Sequence, residues 1–539
     1  QLSALLGLNS QSIDVEGDAE LLATLGLSST NGASSMTGNA KASTNAGTVD
    51  GISVDQLDAE GEITLGSDVD ADLNLLASSV DGTADAELTI DELVSLNGVL
   101  DSDSDAALTL SSDMSVSVES SSFSGDSSAS FNANQQSAAT GAEAVEDAVS
   151  SGDSLTFSAD SDFDVALEAS SIDGDAELNI AAIDGENAVE IGGLDDLDLN
   201  SGSDQDTAID VDGTVVATAS SQEGVATADV TINVAAAESS SITSGQDGTV
   251  DLSASNELDL IANSSGSDGG DHASLALDSS VAAYRGASGD SISVSDSGGI
   301  SLDSSHVVDL ISAAEGGQAS IAAELQSIGA SLDDTGIISL DGTGDISGSG
   351  LLQAELTAES FSGNVGISAD LTGRGIQGGT VQGGGLEGSV SGSSEVDVSL
   401  LGLTLSGDSS NISESTSVGL DDSILSTGYG TSGIRGESLQ SIDTLSSTEY
   451  GNAEAVHTSK SVGILADDVT STVVTSDSDV VAIAEDSSYV TAMTSQGQAS
   501  SQSSSETVGI SGAEVILYGE GNLVVESNSS ASAFSSSNE

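Results

Sequence analysis

Residues 162–169 read DFDVALEA, and this stretch decides the fold class. Phe163, Val165 and Leu167 occupy alternate positions, and acidic residues stand at most of the positions between them. A period of two places apolar side chains on one face of an extended strand and charged side chains on the other. The segment therefore predicts a β-strand with one face in a core and the other in water.

The same alternation recurs along the whole chain in short segments. Further examples are 114–118 (MSVSV), 291–295 (SISVS), 395–400 (EVDVSL), 471–474 (STVV) and 480–484 (VVAIA). Gly, Ser, Asp and Asn fill the stretches between them, including Asp-Gly pairs such as Asp81-Gly82, Asp173-Gly174 and Asp212-Gly213. Gly admits positive φ and Asp can bond its own backbone, so these pairs predict corners.

Two short motifs repeat along the chain. The first is Ala, then an acidic or small residue, then an apolar residue, starting at Ala71, Ala86, Ala106, Ala129, Ala176, Ala228, Ala273, Ala319 and Ala354. The second is Val-Gly followed by Ile or Leu, starting at Val365, Val418, Val462 and Val508. Many of the spacings are roughly 23 residues or twice that number, a repeat length that is typical of stacked structural units.

These features predict an all-β protein, a parallel β-solenoid with coils of roughly 20–25 residues. The chain has no Pro, which would remove a hydrogen-bond donor from the strand ladders. At about 4.8 Å per coil the expected rod is on the order of 110 Å long. The alternative is a string of antiparallel β-sandwich modules. Six Phe, five Tyr and no Trp supply few large core residues for sandwiches, which favours the solenoid.

The chain divides into three predicted parts. Residues 1–48 form a Leu-rich N-terminal cap or subunit contact, 49–410 the main rod, and 411–539 a C-terminal section with a repeat of about 45 residues. Within the rod, 142–149 (AEAVEDAV) and 322–328 (AAELQSI) carry apolar residues at helical spacing. They predict short helical insertions.

The charge of the chain excludes several partners. Five basic and 89 acidic residues give a formal net charge of -84. Such a chain cannot neutralise a row of phosphates, which excludes nucleic acid, and anionic membrane surfaces repel it. No apolar run approaches the roughly 20 residues of a membrane span. The chain begins with Gln1 and shows no signal peptide, so we expect an extracellular or cell-surface protein whose leader has been removed.

No residue pattern predicts catalysis or cofactor binding. His272, His306 and His457 lie far apart without a second His or Cys at ligand spacing, and we expect them on the surface or in turns. Catalytic and cofactor-binding residues are therefore predicted to be none, and the protein is predicted not to be an enzyme. Sequons at Asn263, Asn411 and Asn528 are no more than chance supplies in a chain rich in Ser and Thr.

Metal binding is left open by the sequence. Neither the calcium-roll consensus nor an EF-hand loop occurs, so no ligand residue can be named. Stacked coils would nevertheless place like charges about 4.8 Å apart, at a cost of roughly 0.9 kcal/mol per pair in water. Calcium or other divalent cations bound loosely by surface carboxylates would relieve this repulsion.

In its texture the chain resembles the secreted β-helical adhesins and extracellular filament proteins of prokaryotes. The resemblance implies a cell-surface or matrix role, self-assembly, and contact with glycans or other surface material. Three functions are expected in decreasing order: a structural subunit of an extracellular fibre, sheath or coat that joins copies of itself through strand edges or terminal segments; a monomeric adhesin or stalk; and a β-helical polysaccharide-processing enzyme or phage spike.

Overall fold

The structure is a computed structural model, and every regular element that it describes is a β-strand. It describes residues 2–3, 6–7, 12–29, 40–45, 48–59, 62–140, 148–182, 188–266, 271–296, 298–333, 335–383, 388–421, 424–427, 433–465, 473–476, 479–512, 514–517 and 521–537. In this part of the chain, every strand pair is parallel. The predicted parallel β-solenoid is confirmed.

The strands follow one another with short connections. The first twelve are β1 (Leu2–Ser3), β2 (Leu6–Gly7), β3 (Ser12–Ser29), β4 (Ala40–Asn45), β5 (Thr48–Ala59), β6 (Glu62–Ser79), β7 (Ala84–Ser102), β8 (Ala106–Ser124), β9 (Ser127–Thr140), β10 (Ala148–Ser151), β11 (Leu155–Asp173) and β12 (Ala176–Ala181). The next twelve are β13 (Val189–Asp195), β14 (Asp198–Ser201), β15 (Gln205–Glu223), β16 (Ala226–Glu238), β17 (Ile242–Ser244), β18 (Gly248–Ser264), β19 (Ala273–Gly286), β20 (Ser291–Asp296), β21 (Gly298–Ala314), β22 (Ala319–Leu332), β23 (Ile337–Gly342) and β24 (Asp345–Ser360). The last twelve are β25 (Val365–Gln377), β26 (Thr380–Gly383), β27 (Ser389–Ser406), β28 (Ser409–Asp421), β29 (Ile424–Thr427), β30 (Ile434–Tyr450), β31 (Ala453–Leu465), β32 (Val473–Ser476), β33 (Val480–Gln496), β34 (Ala499–Ser511), β35 (Glu514–Leu517) and β36 (Leu523–Ser537).

These strands form two sheets that face each other. The flat sheet has twelve long strands in the order β3-β6-β8-β11-β15-β18-β21-β24-β27-β30-β33-β36. The other twenty-four strands form the second sheet, called here the bent sheet. One coil consists of a long strand of the flat sheet, a corner, a strand of the bent sheet, and a short strand that leads back, as in β24, β25 and β26.

The coil length predicted from the sequence is too short by a factor of two. Leu155 pairs with Gln205, and Gln205 pairs with Gly248, so these two coils take 50 and 43 residues. Twelve rungs at about 4.8 Å give a stack on the order of 55 Å high, and a strand of 19 residues is roughly 60 Å long. The molecule is therefore a flattened stack of wide coils, and the predicted long, narrow rod is also wrong.

The short spacing of the sequence motifs arises because each coil has two strands facing the same core. Ala273 and Ala319 of the first motif occupy one column of the bent sheet, whereas Ala354 lies on the flat sheet. In the second motif, Val418, Val462 and Val508 share a column. The alternation of apolar and polar residues is the same in both sheets, so successive copies of the motif can lie in the same coil. Their spacing therefore gives about half of the true coil length.

The core lies between the sheets and is filled by inward residues of both. Segment 162–169 behaves as predicted, since Phe163, Val165 and Leu167 are buried and the acidic residues beside them face solvent. Phe131 of the bent sheet meets Phe163 of the flat sheet with ring centroids 6.0 Å apart. One continuous apolar cluster runs from Ile63 to Ala482.

The corner between the two sheets is built from two hydrogen-bond ladders. A Ser or Thr three residues before the corner Gly donates to the corner carbonyl of the preceding coil, as Thr448 Oγ1 does to Gly407 O at 2.9 Å. The residue after the Gly accepts from the next coil, as Asn452 Oδ1 does from Gln498 N at 3.1 Å. Gly451 has a φ of 151°, where other residues are strained, so the corner requires Gly.

Three further predictions are corrected by the structure. Residues 322–328 lie inside strand β22 and not in a helix, because pairing with β19 and β25 on both sides overrides the helix propensity of Ala, Glu and Leu. The antiparallel sandwich alternative is wrong, since the described pairs are parallel. Asp212-Gly213 lies within β15 and is not a corner. Most of the predicted helix at 142–149 lies outside the described residues; Ala148 and Val149 begin strand β10.

Candidate functional site

A ladder of carboxylates crosses the outer face of the flat sheet. Register places Asp70, Asp113, Asp162 and Asp212 in one column on four successive coils. The ladder exists because each coil repeats the alternation of 162–169 in the same register. Neighbouring rungs are about 4.8 Å apart, so the repulsion expected from the sequence is concentrated here.

Charge repulsion and burial change the proton affinity of this ladder. The pKa of Asp162 is raised to about 6, first by partial burial and then by the negative charges of Asp160, Asp113 and Asp212. The pKa of Asp113 is raised as well, mainly by burial and less by Asp70. Near neutral pH the ladder is therefore an array of carboxylates in which protons or cations relieve repulsion.

Two carboxylates of this ladder and Asp68, which precedes Asp70 by two residues on the same strand, come close enough to share one cation. Oxygen atoms of Asp68, Asp70 and Asp113 lie within 4.8 Å of one another. Carboxylate oxygens are the ligands that calcium prefers, and the remaining coordination positions would be taken by water. These residues supply the ligands that the sequence could not name, and calcium binding by surface carboxylates stays a prediction.

A second carboxylate ladder lies on the outer face of the bent sheet. Asp278, Glu324, Asp370 and Glu414 follow one another on four coils, and all four are exposed. They line a shallow cavity of about 540 Å³. Both faces of the stack therefore carry negative columns parallel to its axis.

The last strand of the flat sheet exposes a different kind of surface. Strand β36 pairs with β33 on one side, and no other strand of the described chain pairs with its other edge. Leu523 and Val525 stand in register with the buried Val480 and Ala482, yet they are 48% and 49% exposed. This edge presents open backbone groups together with uncovered core residues.

The three histidines do not form a site. His272 lies at a corner, as predicted, and its Nδ1 accepts from Gln318 N at 3.0 Å. The surface prediction is wrong for His306 and His457, which are fully buried. His306 Nδ1 lies 3.1 Å from Gln326 O, and burial lowers the pKa of each buried imidazole to about 4. The three histidines lie in different coils, and each has its hydrogen-bond partner in its own coil or in the adjacent coil.

The three sequons differ in their accessibility. Asn411 is fully buried, and its Nδ2 donates to Leu445 O at 2.7 Å, so the folded chain cannot be glycosylated there. Asn263 and Asn528 are exposed.

A groove on the bent sheet was not predicted from the sequence. Arg285, Arg374 and Lys460 all lie within three residues of one place in the coils, where alternation gives way to a run of consecutive buried residues. Their spacings of 89 and 86 residues, each about two coils, were a signal that could have found it.

Comparison with known proteins gives no match. No protein-family model fits the chain, and neither a curated protein nor a solved structure is similar to it. Among the described residues there is also no helix with the length and hydropathy of a membrane span.

Proposed function

We propose that this protein is a non-enzymatic structural subunit of an extracellular fibre, sheath or surface coat, and that copies join end to end through strand edges. The observation that carries the proposal is the edge of β36. Its backbone groups are unpaired within the described chain, and its core-facing Leu523 and Val525 are about half exposed.

The physical argument is that a coil stack is completed by adding another coil. Unpaired edge strands recruit further strands because each new rung satisfies a row of backbone donors and acceptors. A second copy placed on β36 would continue the register of β33 and cover Leu523 and Val525. Hydrogen bonding and apolar burial would then act at the same joint.

The charge distribution favours growth along the axis over side-by-side association. Carboxylate ladders such as Asp70 to Asp212 and Asp278 to Glu414 stand on the two faces, so faces of two copies repel each other. The edge strand itself carries little charge, with Glu526 as its one acidic residue. Repulsion on the faces and attraction at the edge together produce a filament.

The proposal is tested by electron microscopy and sedimentation of the chain over a range of concentrations. Val525→Lys places a charge on the core side of the edge strand. Val216→Lys is the matched control, because Val216 is 43% exposed on the face of the flat sheet, in the middle of the stack. We expect filaments from the parent chain and the control, and separate particles from Val525→Lys.

Separate particles from the parent chain at every concentration would contradict the proposal and favour the monomeric adhesin or stalk. Filaments that form equally well with Val525→Lys would show that the joint between copies lies elsewhere than at the edge of β36. Labelling of intact source cells with an antibody against the chain checks the extracellular location, which is part of the proposal.

A further inference from the structure

The bent sheet is pinched inward along one line that runs parallel to the stacking axis. Gly329, Gly375 and Gly419 succeed one another along this line, and their backbones touch the flat sheet. A Cβ atom on Gly375 would lie 2.5 Å from Ser393 N of the opposite sheet. Because only residues with little or no side chain fit here, the outer surface of the bent sheet is concave.

This concavity is a groove with an apolar floor. Ala282, Ile328, Val418 and Val462 would face outward in a regular strand, yet each is at most 9% exposed. Arg374 occupies the same column of the bent sheet, between Ile328 on the preceding coil and Val418 on the following coil.

Polar side chains form the two walls of the groove. Gln326 and Thr372 are neighbouring rungs on one wall, and Ser331 and Gln377 are neighbouring rungs on the other. Together with Arg285 and Arg374 they surround a cavity of about 330 Å³. This volume lies at the lower end of the roughly 300–1,000 Å³ found for small-molecule sites.

On the N-terminal side of this cavity, the groove is filled by side chains that bond to one another. Asn233 Nδ2 donates to Glu190 Oε1 at 2.9 Å. Arg285 donates through Nη2 to Ser280 Oγ at 2.9 Å, and its Nη1 lies 3.3 Å from Glu238 Oε2. A second cavity of about 280 Å³ lies beyond this network, lined by Glu190 and Glu238.

The cavity at Gln326 is different, because four of its polar side chains have no hydrogen-bond partner among the described residues. Within the part of the chain that the structure describes, the side chains of Gln326, Ser331, Thr372 and Gln377 make no hydrogen bond, although all four are half-buried. Arg374 contacts Asp421 Oδ2 through Nε at 3.3 Å, and its side chain lines the same cavity. Two amides, two hydroxyls and a guanidinium fork thus point at one site.

We propose that this cavity binds a neutral glycan, as one subsite for a linear polysaccharide that lies along the groove. Amides and hydroxyls both donate and accept hydrogen bonds, as sugar hydroxyls do, and they outnumber the charged groups. Glu190, Glu238 and Asp421 offset the two arginines, and the net charge of -84 disfavours an anionic polymer. The proposal holds for a monomer as for a filament, so it does not rest on the proposed assembly.

The direction of the ligand follows from the direction of the groove. The floor residues continue in register from Ala282 to Val462, across five coils. An extended chain of sugars would therefore lie parallel to the stacking axis and cross the coils.

The test is calorimetric titration of the full chain with five hexasaccharides. Four are neutral: cellohexaose, xylohexaose, mannohexaose and hexa-N-acetylchitohexaose; hexagalacturonate is the acidic comparison. The double variant Gln326→Ala/Gln377→Ala removes both amides from the cavity. Its matched control is Gln353→Ala/Gln382→Ala, since both of these glutamines are exposed outside the groove.

We expect at least one neutral hexasaccharide to bind, with affinity lowered at least tenfold by the groove variant and unchanged by the control. Unchanged far-ultraviolet circular dichroism of both variants shows that each is folded. The proposal is overturned if none of the neutral probes binds at millimolar concentration, if the groove variant binds as well as the control, or if hexagalacturonate binds more tightly than every neutral probe.

Discussion

The interior of the central coils differs from that of the C-terminal coils. In β11 the inward positions hold Phe157, Phe163 and Val165, all buried in the continuous apolar cluster. In β30 the position in register with Phe163 holds the buried Gln440, and Ser438 on the same strand is fully buried as well. Large apolar side chains predominate in the interior of the central coils, and polar side chains take a larger share of the interior of the C-terminal coils.

The polar interior is held together by its own hydrogen bonds. Ser438 Oγ lies 2.9 Å from Ser417 Oγ and 2.7 Å from Ser461 Oγ, so hydroxyls of the two sheets form a zigzag across the core. In the same interior, Asp486 accepts a hydrogen bond from Ser459 Oγ at 2.5 Å, and His457 Nδ1 lies 2.8 Å from Ser413 Oγ.

The comparison shows that coil geometry does not depend on what fills the coil. Register continues without a break from β27 through β30 to β33, although the filling becomes polar there. Backbone ladders and corner ladders are common to both regions, and they set the shape. The C-terminal coils bury fewer and smaller apolar side chains than the central coils, so we expect stability to be higher in the central coils.

The largest expected effect is that of Phe163→Ala in the apolar region. Removing a buried aromatic ring that contacts Phe131 leaves a cavity and costs about 4 kcal/mol. Hydrogen exchange of the strand Leu155–Asp173, followed by mass spectrometry, measures the loss locally. Ser438→Ala in the polar region removes no comparable volume, and we expect about 1 kcal/mol there. Equal losses at the two sites would refute the contrast between the regions.

The next effect concerns the corners, which both regions share. Gly451→Ala would drive a Cβ atom into Gly407 O and force a residue other than Gly to φ of 151°, at a cost of about 3 kcal/mol. Gly66→Ala is the control, because a Cβ atom there meets nothing within 4 Å. Denaturant unfolding should shift for the first variant and stay near the parent for the second. A tolerated Gly451→Ala would mean that the corner ladder can be rebuilt.

A fall in pH should increase the difference in stability between the two regions. Burial lowers the pKa of His457 to about 4, below the ordinary value of 6.5, so its stabilising contribution is present above pH 6.5 and is lost as the pH falls towards 4. At pH 5 the loss is about 2 kcal/mol in the C-terminal coils. Hydrogen exchange at pH 7 and pH 5, corrected for intrinsic rates, should show faster opening of Ala453–Leu465. His457→Gln should remove this acid response.

The carboxylate ladder responds to acid with the opposite sign. The pKa of Asp162 is raised to about 6 from 3.8, so the folded state binds a proton more readily than the unfolded chain, and stability is lost as the pH rises through 6. Between pH 7 and pH 5 the strand Leu155–Asp173 should therefore become more protected. A loss of protection in both regions at pH 5 would show that the ladder does not govern the pH dependence of this strand.

The strands and the parallel stacking could be predicted from the sequence, whereas the size of the coil could not. Alternation such as that of Phe163 and Val165 reports which face of a strand is buried, and it is the same in both sheets. Only a feature that occurs once per coil distinguishes a half coil from a whole one. The corner sequence is such a feature: a Ser or Thr, two residues, Gly, and then a polar residue, as in Thr404 to Asp408 and Thr448 to Asn452.

The candidate sites were less accessible to sequence reasoning, because they depend on register between residues more than 40 positions apart. The rise per coil was enough to predict repulsion between stacked carboxylates. That Asp113 and Asp162 belong to one column could be learned only from the strand pairing in the structure. The groove could not be predicted from register alone. In the sequence Gln326 and Gln377 resemble any other surface glutamine, and only the inward bend of the bent sheet places them on opposite walls.

The smallest expected effect is calcium binding at the N-terminal end of the ladder, which the described part of the C-terminal coils lacks. Millimolar calcium at low ionic strength should stabilise the folded chain by about 1 kcal/mol through Asp68, Asp70 and Asp113, and melting with and without a chelator measures this. Asp113→Asn should reduce the shift by more than half, because the three ligands act together.

Asp443→Asn is the control for the same change of charge, since Asp443 stands between Ser399 and Tyr489 and has no carboxylate on either adjacent rung of its column. An equal reduction of the calcium shift by the two variants would mean that calcium only screens the net charge of -84. A reduction confined to Asp113→Asn would show that cation binding belongs to the stacked ladder, and so to one region of the molecule.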